Sequence, residues 1–144
     1  MIIFLDTELL WLIGHPKGGP DSLALRLCIL RRVESGDRFA VAEICDYEAR
    51  RELLRKKATR QLELLDELIS ESIYVPLVTQ AMKTAASEWA RLRQGGRPGA
   101  PNHALDGDVI LGAQAKHYAA DHIVATANVR HLSRLCNAQH WRDL

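Results

Sequence analysis

Cysteine is scarce in this sequence: Cys28, Cys45 and Cys136 are widely spaced, odd in number and without a CxxC pair. That argues against a disulfide framework and suits reduced thiols in the cytosol. The six histidines show no HExxH or other zinc spacing, so a zinc site is not expected. Neither sign of charge dominates, with a net charge of +1 and a pI of about 7.8, so any surface for a polyanion must come from local clustering. No apolar run approaches the length of a membrane span, and Asp6 and Glu8 interrupt the N-terminal run that a signal peptide would need. Repeats, low-complexity tracts and linkers are absent. Glycine gathers in GHPKGGP, but this stretch lacks the GK[ST] ending of a phosphate cradle and follows a helical pattern rather than a strand. With 47% hydrophobic residues over 144 positions, the chain can bury one core and is too short for two ordinary domains. One domain over residues 1–144, soluble and cytoplasmic, is expected.

What the chain does have is an alternation of short apolar runs with helical patterns. Met1 to Leu5 is too short for a helix and is followed at once by Asp6 and Thr7, which can cap a helix starting near Glu8. It reads as a buried strand ending in a carboxylate. TELLWLI follows as a short helix, then DSLALRLCILRRVESG as a longer one with Asp21 as cap and Gly36 as stop. RFAVA, residues 38–42, is a second strand. The next stretch reads as a helix with Ile44, Tyr47, Leu53 and Leu54 near one face, continued by a second helix through Leu62, Leu65 and Leu68. IYVPL at 73–77 is a third strand, and VTQAMKTAASEWARLRQ is a helix ended by GGRPGAP. DGDVILGAQAKHYAA is another helix, HIVATA at 122–127 a fourth strand, and NVRHLSRLC a last short helix. Strands separated by helices of ten or more residues imply parallel pairing through right-handed crossovers, hence an α/β fold. Trp11, Trp89 and Trp141 read as core or dimer-interface anchors, with the core favoured.

The acids fall where such a sheet binds ligands, outside the carboxyl ends of its strands. Asp6 ends the first strand; Glu43, Asp46, Glu48 and Glu52 lie in the helix after the second; Asp106 and Asp108 open the helix before the fourth; Thr126 and Asn128 follow the fourth. Carboxylates converging without His or Cys are the ligand set of a hard divalent cation, Mg2+ or Mn2+, and would repel one another unless neutralised. Taken singly, each also has an ordinary role, Asp6 as a helix cap and Glu43, Asp46 and Glu52 as solvated surface charges. Residues two apart on a helix do not face each other, so Asp106 is placed as an N-cap and Asp108 as the ligand, close to the positive helix end. Gly112 and Ala115 share the face of Asp108 and would let this helix approach the first strand.

FLDT, VAEICDYEARREL, LDGDVILGAQA and ATANVRHL, in that order, resemble the motifs of a PIN domain, specifically the VapC-like toxins of prokaryotic type II toxin-antitoxin pairs. The match runs from residue 2 to about residue 135. The resemblance implies a three-layer α/β/α sandwich with a parallel central sheet of four to five strands. It also implies a metal-dependent endoribonuclease, usually a homodimer, held inactive by a partner antitoxin. Asp6 matches the first family aspartate, Glu48 rather than Glu43 the glutamate inside the second motif, and Asp108 the aspartate preceding an apolar helix. Thr126 and Asn128 match the closing Thr-x-Asp/Asn. The implied metal ligands are therefore Asp6, Glu48 and Asp108, with Thr126 and Asn128 completing the catalytic set. Two departures stand out: Asn at 128 suits one metal ion better than two, and Glu8 occupies a position that is often small or amide in the family.

The chemistry implied is hydrolysis of an RNA phosphodiester by water activated at a divalent ion. Arg50, Arg51, Arg55, Lys56, Lys57 and Arg60, with Arg91, Arg93 and Arg97, offer a cationic approach for RNA, or equally a solvated helix face pairing with Glu48, Glu52 and Glu63. Few aromatics lie among them, which gives little sign of base stacking. The antitoxin would lay an apolar helix in a groove near the first helices and offer a basic side chain to the acidic pocket. A receiver-type phosphoacceptor domain would need an aspartate ending the third strand and a lysine after the last, and IYVPLV and HIVATA supply neither. The alternative function is a catalytically weak PIN-like module acting as a nucleic-acid or protein binding partner, suggested by Asn128 and Glu8.

Overall fold

The apolar run at the N-terminus forms β1 (Ile2–Leu5), the central strand of a five-stranded sheet. In the computed structural model, residues 1–15, 17–95 and 102–144 are described, residues 102–105 by their backbone alone. β1 pairs in parallel with β2 (Arg38–Ala42) on one side and β4 (His122–Thr126) on the other; β3 (Ile73–Val75) and β5 (Ala138–His140) form the edges, in the order β3-β2-β1-β4-β5. Neighbouring strand residues point to opposite faces, yet Ile3, Phe4 and Leu5 and all five residues of β4 are buried in succession. Both faces are therefore covered, as a parallel sheet requires. The covering helices are α1 (Thr7–Gly14), α2 (Gly19–Glu34), α3 (Glu43–Arg55), α4 (Thr59–Ser70), α5 (Thr79–Gln94), α6 (Asn102–Tyr118) and the short α7 (Val129–Leu132). The result is an α/β/α sandwich. Phe4, Leu9, Leu25, Leu111, Leu132 and Val124 are fully buried in its core, each contributing about 1.5–3 kcal/mol by leaving water.

Several boundaries differ from the sequence expectation, each for a local reason. α2 starts at Gly19 rather than after Asp21; Asp21 sits in its first turn and pairs with Arg142 at 2.6 Å instead of capping. β3 stops at Val75 because Pro76 has no N–H to donate to a ladder. On α3 the buried face is Ile44, Cys45 and Ala49, whereas Tyr47 and Leu54 face solvent at 57% and 59% exposure. α3 ends where Lys57 adopts a φ of 54°, letting Lys57 and Ala58 N–H bond back to Leu54 and Leu53 at 3.0 and 2.9 Å, so this member of the basic run is a helix terminator. Of the tryptophans, Trp141 is in the core, Trp89 is half-buried and Trp11 is exposed. Gly112 packs against Leu135 and Cys136 beyond α7 rather than against β1.

One buried polar side chain ties the helix layer to the sheet end. Gln114 of α6, 1% exposed, accepts the Ile44 N–H at the start of α3 at 3.3 Å and donates to the Val75 carbonyl at the end of β3 at 2.7 Å. Both backbone groups would otherwise lack a partner. Gln114→Leu, close in volume, is expected to cost about 2–4 kcal/mol by leaving two backbone groups unsatisfied. Urea denaturation checks this through a lower midpoint at unchanged slope.

Candidate active site

β1 ends because its next residue turns to start α1. The Asp6 N–H still bonds the Ala125 carbonyl of β4 at 3.1 Å, while its Oδ1 accepts the Thr7 N–H at 2.7 Å. The expected capping role is thus real and uses one carboxylate oxygen. The other, Oδ2, accepts a 2.7 Å hydrogen bond from the hydroxyl of Thr126, which is fully buried and in turn accepts the Asn128 N–H at 2.9 Å. Thr7 reaches the opposite way, its hydroxyl donating to Glu48 Oε2 at 2.7 Å. Two consecutive residues after β1 therefore tie together β4 and α3.

Asp108 on α6 joins this cluster electrostatically. Burial, followed by the charges of Asp6 and Glu48, pushes its carboxyl up to about 7. Burial also raises Asp6, opposed by the bonds from Thr126 and Thr7 and reinforced by the charges of Glu48 and Glu8. Glu8 thus adds to the negative field. Cys45 lies against the same group, and burial together with Asp6 and Glu48 holds its thiol well above the ordinary range. Cys136 is pushed up to about 12, chiefly by burial. Thiols that stay protonated are poor ligands, which leaves carboxylate oxygens as the donors. That set fits a hard divalent cation. Among the described residues, no group of three His, Cys, Asp or Glu side chains forms a ready-made cage, so an ion would have to draw the mutually repelling carboxylates together.

Glu43, Asp46 and Glu52 have structural partners. Glu43 accepts the Leu77 N–H at 2.6 Å, Asp46 binds Arg50 at 2.9 Å and the Tyr74 hydroxyl at 3.2 Å, and Glu52 pairs with Arg55 and Lys56. Asp106 is not the cap of its helix: α6 begins at Asn102, so Asp106 lies in the second turn and is exposed. Asp108, the seventh residue of α6, is by the same token too deep for the helix terminus to stabilise its charge. Asn128 is exposed, and its bond to the cluster runs through its backbone. Of the basic residues, Arg50, Arg55, Lys56, Arg60 and Arg91 are in ion pairs, Arg51 lies over Tyr47 and Arg93 over Trp89. Glu52 and Glu63 take up these cations as expected, whereas Glu48 is held by Thr7. Arg97 lies outside the described residues. Sequence reasoning missed Thr7 as the partner of Glu48; its position beside Asp6 was the available signal.

No family model and no curated protein matches the chain. Among solved structures it is similar to VapBC from Salmonella typhimurium bound to DNA, with a TM-score of 0.76 and 20% identity over 98% of both chains. It is also similar to VapBC2 from Rickettsia felis bound to a fragment of its promoter, with a TM-score of 0.72 and 17% identity over 98% of this chain and 99% of that one. VapBC-1 from nontypeable Haemophilus influenzae matches with a TM-score of 0.66 and 20% identity over 98% of both. The chain has the VapC-type PIN fold. The acidic cluster of this PIN fold stands at the carboxyl ends of β1 and β4, and no helix among the described residues is long and apolar enough to cross a membrane.

The raised carboxyls make a pH prediction for the metal-free protein. A carboxyl whose folded pKa exceeds its unfolded value binds protons more tightly when folded, so stability falls as pH rises between the two values. For Asp108 that window runs from 3.8 to about 7. Melting temperature in chelator is expected to fall across this window and level off above it, with Asp108→Asn removing much of the slope. An unchanged slope in that variant would show that the Asp108 carboxyl is not raised in the folded protein.

Proposed function

We propose that this protein is a metal-dependent endoribonuclease, the VapC-like toxin of a toxin-antitoxin pair, with Asp6, Glu48 and Asp108 holding Mg2+ or Mn2+. The observation that carries this reading is the gathering of three carboxylates from β1, α3 and α6 at the carboxyl edge of a PIN-type sheet. When bound, the ion supplies neutralisation of the scissile phosphate and acidifies a water towards neutral pH. The chain's own residues do the positioning. Thr126 directs one oxygen of Asp6 and favours its ionised form, and Thr7 directs one oxygen of Glu48. Asp108 must lose its proton to become a ligand, so ion affinity should rise with pH through neutrality. Asn128, at the start of α7, is assigned to orienting substrate or water rather than to a second ion.

The partner assignments rest on surface features. A groove of about 280 Å³ between α1, α3 and α4, lined by Leu10, Trp11, Leu53 and Leu65, suits an apolar antitoxin helix. Exposed Leu23, Leu27 and Leu30 recur on one side of α2 and are assigned to a homodimer contact. The similar structures are themselves VapBC assemblies. A second reading, a catalytically weak PIN-like binding module, draws on Asn128 and on the ion pairs that occupy many of the basic side chains.

A panel of structured and single-stranded RNAs with Mn2+ tests the proposal. Cleavage is expected, abolished by chelator, by Asp6→Asn and by Asp108→Asn, the last without loss of folding. By calorimetry, Glu48→Gln should weaken Mn2+ binding tenfold or more, on the order of the cost of a lost site interaction, and Glu43→Gln should not. Asp106→Asn, on an exposed helix position, should leave cleavage largely intact. Mn2+ binding with no cleavage of any RNA would favour the binding-module reading, and a chain harmless when expressed without its neighbouring gene would count against the toxin assignment.

A further inference from the structure

Gly107 is an awkward residue for its place. It lies inside α6, between Asp106 and Asp108, where glycine is the poorest helix former after proline. Its backbone is not left-handed, so conformational freedom does not explain it. A side chain there would meet one residue before any other: a Cβ built at 107 would overlap Glu48 Oε1 and lie 3.1 Å from its carboxyl carbon and 3.4 Å from Oε2. Glu48 is thus lodged with Oε2 on the Thr7 hydroxyl and Oε1 against the bare Cα of α6. Asp108 is the next residue along, and it senses the charges of Glu48 and Asp6.

We propose that Gly107 is a positioning residue: its missing side chain is the slot that lets the Glu48 carboxylate lie against α6 beside Asp108, so that α3 and α6 contribute to one acidic cluster. The consequence for metal binding rests on the ribonuclease reading; the steric pairing of residues 107 and 48 does not. The clashing group is the far end of a flexible side chain, so Gly107→Ala should displace the carboxylate rather than disrupt the helix.

The test uses the full chain in four forms: wild type, Gly107→Ala, Glu48→Ala and the double variant. Melting temperature is measured in chelator and Mn2+ affinity by calorimetry. Alanine at 107 should weaken Mn2+ binding about tenfold or more when Glu48 is present, and leave whatever affinity remains unchanged when Glu48 is absent. In chelator it should raise the melting temperature more in the Glu48→Ala background than in the wild type, because only there is the helix gain free of the clash. Failure to fold only when Glu48 is present would be the clash itself. Equal thermal shifts in both backgrounds, or failure to fold in both, would overturn the proposal. So would unchanged Mn2+ affinity in Gly107→Ala if the wild type binds. If the wild type binds no Mn2+, the metal reading fails, while the thermal coupling still decides the role of Gly107.

Discussion

Carboxylates that repel one another have to be held at a single sheet edge before any cation is present to neutralise them, and much of the structure answers to that constraint. Like charges a few ångströms apart resist joint ionisation, and partial burial strengthens the effect by removing water that would screen them. The fold counters in two ways. Two threonine hydroxyls donate to two of the acids at 2.7 Å, and hydrogen bonds to charged groups contribute about 1.5–3 kcal/mol each. The third acid, Asp108, accepts no such hydrogen bond among the described residues and yields instead by holding its proton up to about 7.

The bond from Thr126 to Asp6 depends on strand register. Leu5 pairs with Ala125, so the residues that follow, Asp6 and Thr126, come side by side at the carboxyl edge. A slip of one residue would turn the Thr126 hydroxyl to the other face of the sheet. Continuous burial along β1 and β4 makes that slip costly, which connects the apolar core directly to the orientation of one carboxylate. On the other side, Gln114 joins α6 to the start of α3 and the end of β3, so the helix bearing Asp108 also fixes the helix bearing Glu48.

Four of the five strands and most helices were legible because parallel, doubly covered strands leave unbroken apolar runs and because the intervening helices are long; β5, three half-buried residues at the sheet edge, leaves no such run and was missed. The candidate ligands were legible through short motifs, and the early position of Glu43 explains why it serves the Leu77 backbone while Glu48, more than a turn later, reaches Thr7. What misled was reasoning from single residues at helix ends. Asp21 and Asp106 look like caps, but Gly19 and Asn102 start their helices earlier, so both aspartates fall inside. Tyr47 and Leu54 look like core residues, but the buried face of α3 is Ile44, Cys45 and Ala49. Contacts between distant segments, such as Thr7 with Glu48 or Glu48 with Gly107, have no period or spacing in the sequence to announce them.

The distribution of cations bears on how a polyanion would approach. Much of the basic run on α3 and α4 is neutralised by acids of the same helices: Arg55 holds Glu52 at about 2, and Arg50 bridges Asp46 and Asp66. With a net charge of +1, long-range attraction is weak, and exposed charges are screened beyond roughly 8 Å at physiological salt. The edge itself is acidic, with Arg130, exposed two residues after Asn128, among the cations near it in the chain. On the ribonuclease reading, a phosphate backbone therefore approaches a site that repels it until an ion is bound. Metal and RNA then strengthen each other's binding by the same factor, because the charge that the ion cancels is the charge that the phosphate would otherwise meet.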